Sequence, residues 1–173
     1  MVADYLTFLR ELPKSFSQIG AMLPSSPHLG KLMVRPISSS HLSSSHRPLR
    51  ILEVGPGTGP FTRQILSLMG PKDELVVCEV NTRFMRQLKT SFRKNKDFQR
   101  NRERVHFFLG PIQDIADSPH ALEQFDVIVC SLPFLIFSPS VVTEIFSLFE
   151  SLLKKGESLT FFQYIGLRKL GTF

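Results

Sequence analysis

A short apolar run, residues 49–54 (LRILEV), opens directly onto Gly55-Pro56-Gly57-Thr58-Gly59, and a helical pattern starts at residue 60. This arrangement constrains the chain more than any other feature. Three glycines in five residues let the backbone turn sharply and come close to a bound molecule. The helix that follows turns its unpaired N-terminal amides toward the same place. The next apolar run, residues 74–80 (ELVVCEV), carries an acidic residue near its end, which is the further context such a loop requires. That residue is Glu79, twenty positions beyond Gly59, and its carboxylate is suited to accept from two ribose hydroxyls.

The rest of the chain repeats the alternation. Strands are expected at 49–54, 74–80, 104–109, 125–130 and 157–164, and helices at 60–69, 82–95 and 139–154, with a short helical turn at 119–123. Pro139 suits a first helical turn and Gly156 reads as the stop of the last helix. Short apolar strands separated by helices predict an α/β fold of Rossmann-like type, a mostly parallel, doubly wound sheet covered on both faces. Ahead of this domain (49–173), residues 1–48 are expected to form a helical cap and linker within one compact unit. Residues 3–23 have helical spacing interrupted by Pro13, a short helix runs to Met33, and 35–48 (RPISSSHLSSSHRP) has the composition of a loop.

The charge of the loop selects its ligand. A dinucleotide fingerprint reads G-x-G-x-x-G, whereas this loop is G-x-G-x-G with Glu53 two residues before the first glycine. A carboxylate there repels a pyrophosphate but pairs with an ammonium. S-adenosylmethionine carries an amino group and no phosphate, so it is the expected cofactor, with nicotinamide dinucleotides as the competing class.

Residues 51–59 (ILEVGPGTG) resemble the first motif of class I methyltransferases, and Glu79-Val80-Asn81 resembles the second. The resemblance implies a seven-stranded sheet of order 3-2-1-4-5-7-6. It assigns cofactor contacts to Glu53, Gly55, Gly57, Thr58, Gly59, Glu79 and Val80. The third motif departs from the pattern, because Gly110-Pro111-Ile112 stands where relatives carry an aspartate for the adenine amino group. Gln113 is the substitute acceptor, Ile112 is expected to pack on the adenine ring, and Asp114 is alternatively a cap of the following turn. In this strand order Cys78 and Cys130 are two strands apart, roughly 9–10 Å, too far for a disulfide.

The end of the fourth strand, Cys130-Ser131-Leu132-Pro133-Phe134, bears on the acceptor. Ribosomal RNA adenine dimethyltransferases carry Asn-Leu-Pro-Tyr here, the amide holding the base amine and the ring stacking on the extruded base. This chain keeps Leu132, Pro133 and an aromatic Phe134 but has Ser131 in place of the amide. Bacterial phospholipid N-methyltransferases are a closer resemblance. They share Gly20-Ala21, Pro24-Ser25-Ser26, Leu29, Leu32 and Met33 before the domain, Phe61-Thr62 after the glycine loop, and a strand like Phe162-Gln163-Tyr164. That resemblance implies N-methylation of phosphatidylethanolamine. Ser131, also a cofactor neighbour, then lines the substrate mouth with Leu132, Pro133 and Phe134, completed by the Phe16, Ile19 and Met22 face of the N-terminal helix. RNA adenine methylation is the alternative.

Charge is the remaining signal. The chain carries +6, and residues 83–104 hold nine Lys/Arg against Asp97 and Glu103, a local net of +7. Such a block meets an anionic surface, either lipid head groups or a phosphate backbone. No stretch approaches the ~20 apolar residues that span a bilayer. Asp4, Arg10 and Glu11 interrupt any secretory signal. A cytoplasmic protein, peripheral on the inner membrane face, is expected. His28, His41 and His46 lack the companions of a metal site, so no metal is expected. Nine residues after Tyr164 cannot form two further strands. The chain is therefore either cut short or built on a reduced sheet, and a non-catalytic cofactor-binding protein is a further alternative.

Overall fold

The structure, a computed structural model, describes residues 27–42 and 47–163. The expected helix over 3–23, with Phe16, Ile19 and Met22, lies outside the described residues, as do Ser25, Ser26, His46 and Tyr164. Two short helices come first, α1 (Pro27–Met33) and α2 (Arg35–His41). There follow β1 (Arg50–Val54), α3 (Pro60–Leu68), β2 (Glu74–Glu79), α4 (Thr82–Phe92), α5 (Lys96–Asn101) and β3 (Val105–Leu109). After 3-10 turns at Ile112–Asp117 and Pro119–Ala121, the chain continues through β4 (Phe125–Cys130), a 3-10 turn at Phe134–Ile136, α6 (Pro139–Leu152) and β5 (Leu153–Phe161).

The five strands form one sheet of order β3-β2-β1-β4-β5, and every pairing in it is parallel. This is the Rossmann-like arrangement expected, and its order matches the first five places of the family order. Strand side chains alternate between two apolar layers, as the two-residue period of a strand requires. Ile51, Leu75, Val77, Val127 and Val129 pack with α1, α2, α3 and α4 on one face. Leu52, Val54, Val76, Cys78, Ile128 and Cys130 pack with α6 and the Ile112–Asp117 turn on the other. Both cysteines are free and buried, on opposite sides of the β1 strand that pairs with both of theirs.

Two buried acids fasten the N-terminal ends of the strands. The Asp126 carboxylate accepts from the Arg50 amide at 2.7 Å, from Lys154 at 2.9 Å, and from Arg47. Burial pushes this carboxyl up, but the Arg50 amide and the two cations hold it below the ordinary carboxylate range. Asp73 accepts from the amides of Leu49 at 2.9 Å and Gly70 at 2.7 Å, and its Oδ2 lies 2.8 Å from His41 Nε2.

Three expectations are corrected. Residues 35–41 of the Ser-rich stretch are helix α2, because Pro36 fits its first turn and fully buried Ile37 anchors it to the sheet. The basic helix expected over 82–95 ends at Phe92. Asn95 is extended and caps a second helix by accepting from the Phe98 amide at 2.8 Å. Gly156 does not stop α6, which ends at Leu152. It lies inside β5 at φ 82°, where the register against β4 jumps, Phe125 facing Leu153 but Val127 facing Ser158. The glycine takes up a bulge in that strand.

Candidate cofactor and acceptor site

In an open parallel sheet, ligands bind beyond the C-terminal ends of the strands. Here three hydrogen bonds extend the ladder one step past those ends: Gly55 N to Cys78 O at 2.9 Å, Gly110 N to Glu79 O at 3.1 Å, and Ser131 N to Val54 O at 2.8 Å. They draw together the loops after β1, β2, β3 and β4. The residues that motif reading assigned to the cofactor all lie on these loops or the strand ends feeding them.

The glycine loop is held from both sides. Gly55, Gly57 and Gly59 have φ of 71°, 56° and 81°, the left-handed region that side chains disfavour. Gly57 has open space on the side where a side chain would project, and its amide donates to Glu79 Oε2 at 3.3 Å. A β-carbon at Gly55 would sit 3.2 Å from Leu132 Cδ2, which brings the acceptor loop against the cofactor loop. Gly59 does different work. A β-carbon there would lie 2.4 Å from Leu88 Cδ1 and 3.1 Å from the Phe92 ring, so this glycine seats α3 against α4 rather than facing the open side. Thr58 is exposed at the tip and Val80 is half-buried beside β2.

Glu53 and Glu79 supply the charge. Glu79 is buried, and its Oε1 accepts from the Asn81 amide at 2.8 Å. Burial pushes its carboxyl up, against the pull of those backbone donors. Glu53 is 0% exposed, and neither of its oxygens has a hydrogen-bond partner among the described residues. Desolvation, and to a lesser degree the nearby Glu79 carboxylate, push it up to about 8; Thr62 lies close enough to pull the other way but outside hydrogen-bond geometry.

Unpartnered buried polar atoms are rare because each costs about 1–3 kcal/mol. Among the described residues they are Glu53 Oε1 and Oε2, Thr62 Oγ1, Gln113 Oε1 and Ser131 Oγ. Glu53, Gln113 and Ser131 are residues that the sequence assigned to the cofactor. The residues present therefore fit such a ligand: an unpaired acid for its ammonium, an unpaired amide carbonyl for the adenine amino group, and a ribose acceptor at Glu79. Thr62 entered the sequence reading only through the Phe61-Thr62 resemblance and was given no place at the site; its signal was a polar residue inside the apolar stripe Phe61, Ile65 and Leu66.

The acceptor side differs in part from expectation. Ser131, Leu132 and Pro133, expected to line the substrate mouth, are half-buried in the loop after β4. Phe134 is only 6% exposed, its ring packed between Phe146 at 5.1 Å, Phe161 at 5.9 Å and Phe137 at 6.1 Å. It is a core residue and not an open platform for a flipped base, because α6 and β5 close over it. Ile112 is buried against the same layer, and Asp114 lies within its 3-10 turn and caps nothing. A shallow cleft between α2 and β5, lined by Leu32, Arg35, Ser39 and Thr160, shares no residue with the site.

Residues 51–156 match the family model described as a methyltransferase domain. The ornithine lipid N-methyltransferase of Singulisphaera acidiphila is 27% identical over 152 residues, covering 87% of this chain and 72% of that protein. Among solved structures, the plantazolicin methyltransferase BpumL superposes with a TM-score of 0.64 at 15% identity, covering 92% of this chain and 57% of that one. The O-methyltransferase TomG from Streptomyces achromogenes, solved with S-adenosylmethionine, gives 0.60 at 18% identity, covering 90% and 63%. The chain thus spans less than two thirds of the length of these solved structures. The family model covers more than half of the chain, and the strand, glycine loop and acidic strand end fall inside it, so the chain belongs to the methyltransferase-domain family, the class I S-adenosylmethionine-dependent methyltransferases.

Proposed function

We propose that this chain N-methylates the primary amine of a membrane lipid, phosphatidylethanolamine being the first acceptor to test. The observation that carries the lipid reading is the likeness, across most of the chain, to a protein named for N-methylating ornithine lipid. Both lipids present a primary amine beside acyl chains, so the shared chemistry is an amine nucleophile delivered at a bilayer surface.

S-adenosylmethionine, when bound, supplies an electrophilic methyl group on a sulfonium. Glu53 would hold the ammonium of that molecule, Glu79 its ribose hydroxyls and Gln113 its adenine amino group. Transfer would form one N–C bond at the acceptor nitrogen and break one S–C bond, and the proton lost by the amine would pass to solvent water. A neutral primary amine needs little activation, so the work of the mouth is to align the nitrogen and exclude water. Half-buried Ser131, with its unpartnered hydroxyl, would accept from the amine, and Leu132 and Pro133 would line the mouth with apolar surface. The RNA reading loses support, because Phe134 is packed into the core. Among the described residues no helix is long and apolar enough to cross a membrane.

A labelled-methyl transfer assay tests the reading, run in parallel on phosphatidylethanolamine vesicles, ornithine lipid vesicles and ribosomal RNA. Label in either lipid extract is expected. Label in RNA alone would overturn the lipid assignment, and label in none of them would point to a binding protein without transfer activity.

A further inference from the structure

The basic stretch 83–104 divides into cations that serve the fold and cations that do not. Arg104 is committed inward, donating to the carbonyls of Gly70 at 2.8 Å and Asp73 at 2.9 Å and to Asn101 Oδ1 at 2.7 Å. Arg100 pairs with Asp97 at 3.3 Å, and Lys89 lies over the Phe107 ring at 5.0 Å. The remaining six, Arg83, Arg86, Arg93, Lys94, Lys96 and Arg102, are exposed and have no partner among the described residues. Helix α4 buries Met85, Leu88 and Phe92, so its period turns Arg83 and Arg86 outward, and Arg93 to Lys96 continue the charge through the turn into α5. Glu103 is the one exposed carboxylate in the stretch without an ion-pair partner among the described residues. Six unpaired cations so close together repel one another, and nothing in the packing of α4 or α5 requires them.

We propose that this outward face of α4, α5 and the turn between them is a docking surface for an anionic lipid bilayer, an inference that rests on the lipid reading above. The site is coupled to the face through α4. The helix leaves the C-terminal edge of the sheet immediately after Glu79, so Arg83 stands four residues beyond the expected ribose acceptor. No ring on the face is fully exposed: Phe92 is buried, Phe84 on α4 is half-buried, and Phe98 and Phe107 are half-buried against each other and the core, so the face offers cations rather than an open stacking platform. With charge and no apolar wedge, the contact is electrostatic, reversible and weakened by salt.

The test is co-sedimentation of the full chain with phosphatidylcholine vesicles, with and without phosphatidylglycerol. The chain is expected to bind only when the anionic lipid is present and to be released by salt. Each cation removed is expected to weaken partition about fivefold. The variant R83Q/R86Q/R93Q changes only exposed side chains, so its fold and cofactor affinity serve as controls. Equal binding to neutral vesicles, or unchanged binding of this variant to anionic ones, would overturn the proposal. Tighter binding of duplex RNA than of anionic vesicles at the same salt would give the face to nucleic acid instead. Methyl transfer to the lipid amine in neutral detergent micelles separates the two ideas. A variant equal to the parent in micelles but slower on anionic vesicles supports docking. Equal rates in both formats remove docking and keep the lipid reading. No transfer to lipid in either format removes the lipid reading, and the sedimentation result still decides the face.

Discussion

The Glu79 carboxylate reaches from the end of β2 to the amide of Gly57, 3.3 Å away in the glycine loop after β1. Its other oxygen accepts from the Asn81 amide at 2.8 Å, so one buried side chain holds both the cofactor loop and the start of α4. The group expected to take the ribose hydroxyls is thus also the anchor of the loop. Glu79→Ala is expected to weaken S-adenosylmethionine binding by about 1.5–3 kcal/mol, the range for hydrogen bonds to a charged group. Glu79→Gln keeps the shape with one acceptor, so its loss is expected to be smaller. Calorimetric titration of both variants checks this, and an unchanged affinity in Glu79→Ala would detach the residue from the site.

Glu53 makes both stability and binding depend on pH. Its folded-state pKa is about 8 against an ordinary 4.5, so the folded chain keeps a proton that the unfolded chain releases. Stability is therefore expected to fall as pH rises from about 4.5 to about 8 and to level off above that. Glu53→Gln, neutral throughout, is expected to flatten the fall in a series of thermal melts. A ligand ammonium favours the carboxylate. Below pH 8, binding then expels a proton, and affinity rises by up to about tenfold per pH unit. Titrations in two buffers of different ionisation heat count that proton, and no difference between the buffers would refute the pairing.

Strands β1, β2 and β4 were legible because they are buried on both faces, which leaves continuous apolar runs in the sequence; the strand order came from the family resemblance, and half-exposed β5 starts four residues before the expected 157. The cofactor loop was legible because its geometry is local: glycines, a preceding acid, and Glu79 one strand later. Helix α2 was not, since its Ser-rich sequence has no strong propensity and burial of Ile37 decides it. Gly156 carries the same letter in a helix stop and a bulge, and only pairing with β4 distinguishes them. The packing of Phe134 was hidden for a similar reason, because the rings that enclose it come from α6 and β5.

Gly57 and Gly59 are expected to separate binding from folding. Gly57 has open space beside it, so Gly57→Val leaves the core packing untouched, pays the strain of a positive φ, and projects a branched side chain where a ligand approaches. Loss of S-adenosylmethionine binding with a largely retained melting transition is expected. Gly59→Ala drives a methyl group into buried Leu88 and Phe92, and overpacking of this kind costs about 1–3 kcal/mol. Its melting temperature is expected to drop well below that of Gly57→Val. The reverse ranking would mean that the two glycines have been assigned the wrong roles.

Phe134 offers a test of the acceptor side that depends on stability rather than turnover. A ring that served as a stacking platform would contribute little to folding, and its removal would cost activity alone. Here the ring meets Phe137, Phe146 and Phe161 within 6.1 Å and is nearly excluded from solvent. Truncation leaves a cavity bounded by three aromatic rings from different elements, which cannot all collapse into it. Phe134→Ala is expected to destabilise the fold by about 3–5 kcal/mol, the usual cost of deleting a buried phenylalanine. Phe134→Leu refills most of the space and is expected to recover most of that stability. Chemical denaturation of the two variants measures the difference directly. A Phe134→Ala protein as stable as the parent but inactive on RNA would return the ring to the substrate mouth and reopen the nucleic-acid reading.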